Sequence, residues 1–267
     1  NLSKRIKPPM NLFKNNTPSF TDQIYVAEKQ LTPEFCKTCI AKFEDDPCRH
    51  VGETSGGHMI ELKQSDDLMI SRLNRWNEVD SQISIALSRN VNNFIKSMKS
   101  KFTWWDAPAG IHDTGYQMQR TVPNGFYNWH HDFCTGRWYT FIFYLNDVKE
   151  KGYTEFIDGT RIQPEVGKCL LFPATTVYRH RGVSPVNEIK YLITGWLYTE
   201  FDGDTKVQGK WQDLIKEEVI QKEQDSNYAL ENLPENRFGA EDSHITMQLD
   251  EFIAPDDPQN NVQMILE

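Results

Sequence analysis

The chain has 267 residues, 38% hydrophobic and 25% charged, with 15 Phe, 10 Tyr and 7 Trp; that is enough apolar material for a core and excludes a fully disordered chain. No run approaches the roughly 18 apolar residues that a membrane-spanning helix needs. The net charge of −9 is uneven, with 16 acids and 5 bases in residues 201–267 against 22 acids and 24 bases before them, so the body lacks the basic excess of a nucleic-acid surface.

Residues 1–19 are basic, rich in Pro and Asn and without periodicity, and read as an arm. A short strand is expected at 24–26. Thr32-Pro33 is an N-cap followed by proline in the first turn, opening a helix to about Phe43. Within it Cys36 and Cys39 form a C-x-x-C that reads as two helix positions one turn apart, because no second pair follows at zinc-site spacing. With Cys48, Cys134 and Cys169 the count is odd and the spacing irregular, which points to a reducing compartment rather than a disulfide framework. No signal peptide is visible at Asn1-Leu2-Ser3-Lys4-Arg5, and a cytoplasmic location is expected. Val79, Ile83, Leu87, Val91, Ile95 and Met98 recur every three or four residues, giving a second helix with one apolar stripe.

From about Gly115 the period falls to two. Runs at 116–122, 126–133, 138–145, 153–157, 169–172 and 191–198 are separated by turn signals such as Pro123-Asn124-Gly125 and Asp158-Gly159. Helices followed by many short strands give an α+β class with a sandwich or jelly-roll core. Helices are expected to about 107 and the β core over 108–200. Trp211, Leu214, Ile215 and Val219 suggest one more amphipathic helix, inside an acidic extension over 201–267 that shows no core of its own.

Tyr127-Asn128-Trp129-His130-His131-Asp132-Phe133 carries the chemistry. On a strand His130 and Asp132 share one face and His131 takes the other. An imidazole and a carboxylate side by side supply two members of the 2-His-1-carboxylate set that holds Fe(II) on one side and leaves positions open opposite. H-x-D alone is a weak signal. His180, late in the same β region, supplies the third member. Lys190 follows ten residues later at the head of an apolar strand, where an ammonium is costly to bury unless it faces an anion; a dicarboxylate would be that anion. His50, His58, His112 and His244 have no carboxylate at ligand spacing.

In this order of residues the chain resembles the Fe(II)/2-oxoglutarate-dependent dioxygenases, and within them the prolyl 4-hydroxylase group. Gly125 to Asp132 is similar to that group's G-x-x-Y-x-x-H-x-D stretch, with one residue of slack at the glycine, and Arg137 to Val148 to its R-x-x-T-x-x-x-Y-L-x-D-V strand. Gly152 to Phe156, Gly167 to Phe172 and Lys190 to Trp196 extend the likeness over about residues 20–200. The resemblance implies a double-stranded β-helix with N-terminal supporting helices. It implies His130, Asp132 and His180 as iron ligands, Lys190 on the distal carboxylate of 2-oxoglutarate, and Thr140 as a further contact to that co-substrate. Tyr127, Arg137 and Trp196 match substrate-contacting positions. Two positions depart from the pattern: Thr121 stands where the group usually has a tyrosine, and Thr114 where an acid can occur.

The activity implied is hydroxylation of a C–H bond, with a peptidyl proline as the leading substrate, O2 consumed, succinate and CO2 as co-products, and ascorbate as an auxiliary reductant. A peptide or protein is the expected partner. Two rivals stay open: the same chemistry on another side chain, a free amino acid or a nucleobase, and a non-catalytic jelly-roll module that keeps the metal.

Overall fold

The computed structural model describes residues 18–54 and 56–199; nearly all of the arm, the acidic extension with its expected helix, and His244 lie outside the described residues. Thr32 caps the first helix as expected: its hydroxyl accepts from the Phe35 amide and Pro33 occupies the first turn of α1 (Pro33–Asp45). The longer helix α2 (Asn77–Lys101) buries Val79, Ile83, Ala86, Leu87, Val91, Phe94 and Met98. No helix among the described residues is long and apolar enough to cross a membrane.

The strands, all antiparallel, are β1 (Tyr25–Ala27), β2 (His50–Val51), β3 (Lys63–Gln64), β4 (Asp66–Met69), β5 (His112–Asp113), β6 (Gln117–Thr121), β7 (Phe126–His130), β8 (Arg137–Tyr144), β9 (Thr154–Phe156), β10 (Arg161–Ile162), β11 (Cys169–Pro173), β12 (His180–Gly182) and β13 (Lys190–Tyr198). They form a large sheet in the order β1-β11-β8-β13-β6-β4-β2, with β5 beside β13, and a smaller sheet in the order β10-β9-β12-β7-β3. This is an α+β fold with a double-stranded β-helix core.

Alternation decides which side chain goes where. On β8, Tyr139, Phe141 and Phe143 turn outward into one apolar cluster with both helices, as do Tyr191, Ile193 and Leu197 of β13 and Cys169 and Leu171 of β11. Their strand neighbours Ile142, Tyr144, Leu170, Phe172 and Leu192 turn inward and pack with Phe156 and Tyr178 between the sheets. The large sheet is therefore apolar on both faces, one covered by helices and one by the small sheet. Each fully buried Leu or Phe of this kind contributes about 1.5–3 kcal/mol. Cys36 and Cys39 are buried free thiols on α1, and burial pushes both up, to about 11 and about 12. The C-x-x-C thus packs into the core.

The expected division at about residue 107 is too sharp. β2 and β4 extend the large sheet and β3 extends the small one, so the stretch between the helices forms one edge of each sheet. Two or four residues, mostly polar, leave no alternation to read.

Candidate metal centre

β7 and β12 lie side by side in the small sheet, and their register sets His130 opposite His180. β7 ends at His130, earlier than expected, so Asp132 lies just past the strand rather than within it. The three donors still converge: one ligand atom from each of His130, Asp132 and His180 lies within 4.8 Å of the others. The Nε2 atoms of His130 and His180 each stand 3.7 Å from a different oxygen of Asp132.

The second-nitrogen partners show that this set suits a divalent metal. The Nδ1 atom of His130 lies 2.7 Å from the Asn128 carbonyl, and that of His180 lies 3.1 Å from the Tyr178 carbonyl. A carbonyl only accepts, so each Nδ1 carries the proton and each Nε2 presents its lone pair to the centre. Burial, and then the neighbouring His180, hold the His130 imidazole well below the ordinary histidine range. Burial opposes charge on Asp132, but His180, His130, the Thr140 hydroxyl and Arg137 outweigh it and keep the carboxyl below its usual value. Neutral imidazoles and an ionised carboxylate are what Fe(II) takes. Among the described residues this is the one cluster of its kind.

Lys190 is 3% exposed and lines the same cavity as the triad. Its ammonium has no hydrogen-bond or ion-pair partner among the described residues, and burial alone lowers it to about 8. Lys190, Leu192, Thr194 and Trp196 all face this cavity from β13. Thr121, cross-strand from Lys190, shares that wall.

The other expected residues fall around the triad. Thr140 lines the cavity, and its hydroxyl donates to Asp132 Oδ2 at 2.6 Å, which orients that carboxylate. Tyr127 stacks on the His130 ring at 3.5 Å and 12°. The Arg137 guanidinium lies 4.0 Å over the Trp196 ring and donates from Nε to the Tyr198 hydroxyl at 2.8 Å. Trp196 Nε1 is buried without an acceptor among the described residues. His131 turns aside and accepts from the Phe133 amide.

Lys63, Gln119 and Thr154 also line the cavity and were not foreseen. Lys63 is the most consequential: its ammonium sits 2.5 Å from Asp67 Oδ2, with side chains 3% and 0% exposed, and 5.1 Å from the Tyr127 ring. The K-x-x-x-D spacing was its one available signal, and such pairs are common on surfaces.

Residues 116–198 match the family model of the 2OG-Fe(II) oxygenase superfamily, a span holding all three donors and Lys190. No curated protein sequence matches the chain. Among solved structures, a prolyl hydroxylase from Trichoplax adhaerens in complex with a hypoxia inducible factor oxygen degradation domain peptide is 16% identical, covering 67% of this chain and 84% of that one, with a TM-score of 0.53. The viral collagen prolyl hydroxylase of Paramecium Bursaria Chlorella virus-1, in its 2OG complex, is 16% identical over 67% and 97%, at 0.48. A Pseudomonas putida prolyl-4-hydroxylase is 12% identical over 66% and 92%, at 0.49. The family match supports a likeness to 2OG-Fe(II) oxygenases over residues 116–198, and the likeness to the Trichoplax protein is one of fold.

Proposed function

We propose that this chain is a non-haem Fe(II)- and 2-oxoglutarate-dependent dioxygenase that hydroxylates a C–H bond of a peptide, with proline as the leading target residue. One observation carries the reading: three metal donors and a buried ammonium without a counter-ion among the described residues line one cavity. A metal-retaining binding module has no use for that ammonium, whereas a diacid co-substrate supplies its missing charge.

His130, Asp132 and His180 would hold the iron, which when bound supplies the redox chemistry that couples decarboxylation of 2-oxoglutarate to hydroxylation. The protein's own tasks are binding and orientation. Lys190 grips the distal carboxylate in a cavity floored by Leu192. Thr140 fixes the Asp132 carboxylate through its hydroxyl. At the substrate side Trp196 Nε1, lacking an acceptor, would donate to a peptide carbonyl, with Arg137 and Tyr127 framing it. The peptide-bound Trichoplax structure motivates the choice of a peptide partner. Thr114 and Thr121 favour a second reading, the same chemistry on a residue other than proline.

The catalytic domain is read as 20–200, between the arm and the acidic extension. Five free cysteines support a reducing, cytoplasmic setting. The test is succinate formation from 2-oxoglutarate with Fe(II) and ascorbate, with and without proline-rich peptides. Turnover stimulated by those peptides is expected, and His130→Ala is expected to lose both metal and turnover. Activity surviving in that variant, or no succinate from the wild type, refutes the reading. Stimulation by other substrates alone moves it to the second.

A further inference from the structure

A second depression, of about 330 Å³, opens at the end of the small sheet where β7 and β9 begin and β12 ends. Phe126, Tyr127 and Gly182 line both it and the metal cavity. Gly182 is a thin wall, since a Cβ added there would lie 3.3 Å from Lys190 Nζ and 3.5 Å from Tyr127 Cβ. The depression therefore backs onto the metal cavity beside the Lys190 ammonium.

Its lining is built from donors. Lys151, Arg181, Asn128 and Tyr153 contribute to it, and no carboxylate does. The Lys151 ammonium and the Tyr153 hydroxyl have no hydrogen-bond or ion-pair partner among the described residues. Arg181 is held from outside the depression by Glu155, which accepts from its Nε at 2.7 Å. Glu155 also accepts from Arg161 at 2.7 Å, and one carboxylate shared by two guanidiniums leaves the local charge positive. Lys151 occupies a left-handed backbone conformation, φ 57°, uncommon for a lysine.

We infer that this depression is a second anion site, taking a small di-anion, either a dicarboxylate or a phosphate. Occupying it weakens the hold of Lys190 on the co-substrate. Two di-anions on either side of one glycine repel each other across a short separation. The first statement stands on the depression alone, and the second rests on Lys190 being the co-substrate anchor.

The two are separable by experiment on the full chain. Succinate and inorganic phosphate are titrated calorimetrically into Lys190→Met, in which the metal cavity has lost its anchor. Binding is expected to persist there and to weaken about ten-fold when Lys151→Asn is added, the loss of one charge-assisted contact; asparagine tolerates the left-handed backbone. Binding of succinate alone or of phosphate alone identifies the anion and supports the site. No binding of either, or binding indifferent to Lys151→Asn, overturns it. In the wild type the anion that binds is expected to raise the dissociation constant of 2-oxoglutarate, and in Lys151→Asn to leave it unchanged. A constant unaffected by the anion overturns the coupling. A wild type that never binds 2-oxoglutarate overturns the proposed function while leaving the anion site standing.

Discussion

A buried ammonium without a counter-ion is unfavourable, and at Lys190 burial lowers the pKa to about 8. The charged form dominates below that pH, so on the proposed reading a diacid would be held there and released above it. Affinity for 2-oxoglutarate, measured by calorimetry with Mn(II), is expected to hold steady to about pH 8 and then fall toward ten-fold per unit. Lys190→Arg is expected to keep its grip to higher pH, because a guanidinium does not titrate in that range. Lys190→Met is expected to weaken binding ~100-fold or more, the effect of removing one member of a buried charge pair. A flat wild-type profile would contradict the anchoring role. Lys190 was legible in the sequence because a lysine heading an apolar run has few structural reasons to be there. Thr140 was legible only as a neighbour of the site, since a hydroxyl's choice of acceptor depends on distances that no spacing encodes.

At the scale of elements, the short β3–β4 segment carries a pair worth testing. Lys63 Nζ bonds Asp67 Oδ2 and the Glu53 carbonyl, while the Ser65 hydroxyl donates to Asp67 Oδ1. Removing one member strands a buried charge, so Asp67→Ala is expected to cost about 3–5 kcal/mol in urea unfolding. The double variant Lys63→Met with Asp67→Leu is expected to recover most of that loss. A single variant as stable as the wild type would mean the pair is hydrated in solution. These strands escaped the sequence because they are too short for a pattern. The helices did not, because Thr32-Pro33 and the stripe from Val79 to Met98 are periodic signals that need no knowledge of the partner surface. His130 opposite His180 is a matter of register between strands 50 residues apart in number, and only the late position of His180 in the β region and the order of motifs hinted at it.

For the whole molecule, the proposed function has metal and diacid binding the folded state across two strands of the small sheet and one of the large. They are therefore expected to raise the thermal midpoint together, by an amount set by mass action; about 2.7 kcal/mol accrues at a hundred-fold excess over the dissociation constant. The sign with pH follows from the depressed Lys190. Its folded-state pKa lies below the unfolded value, so the empty protein carries the full penalty below about pH 8 and sheds it as pH rises toward the unfolded value. The stabilisation by 2-oxoglutarate, read by scanning calorimetry, is accordingly expected to be largest at neutral pH and to shrink above pH 8. His130→Ala is expected to lose the metal increment.

Strand β13 runs unbroken past the whole cavity, with Lys190 at one end and Trp196 near the other. Six residues of extended chain measure roughly 20 Å, so under the proposed function the backbone would work as a ruler between the grip on one reactant and the donor for the other. Inserting one residue between them would turn one of the two side chains to the opposite face. Inserting two would restore both faces but lengthen the gap by about 7 Å, leaving an enzyme that holds each reactant and brings them together at the wrong separation.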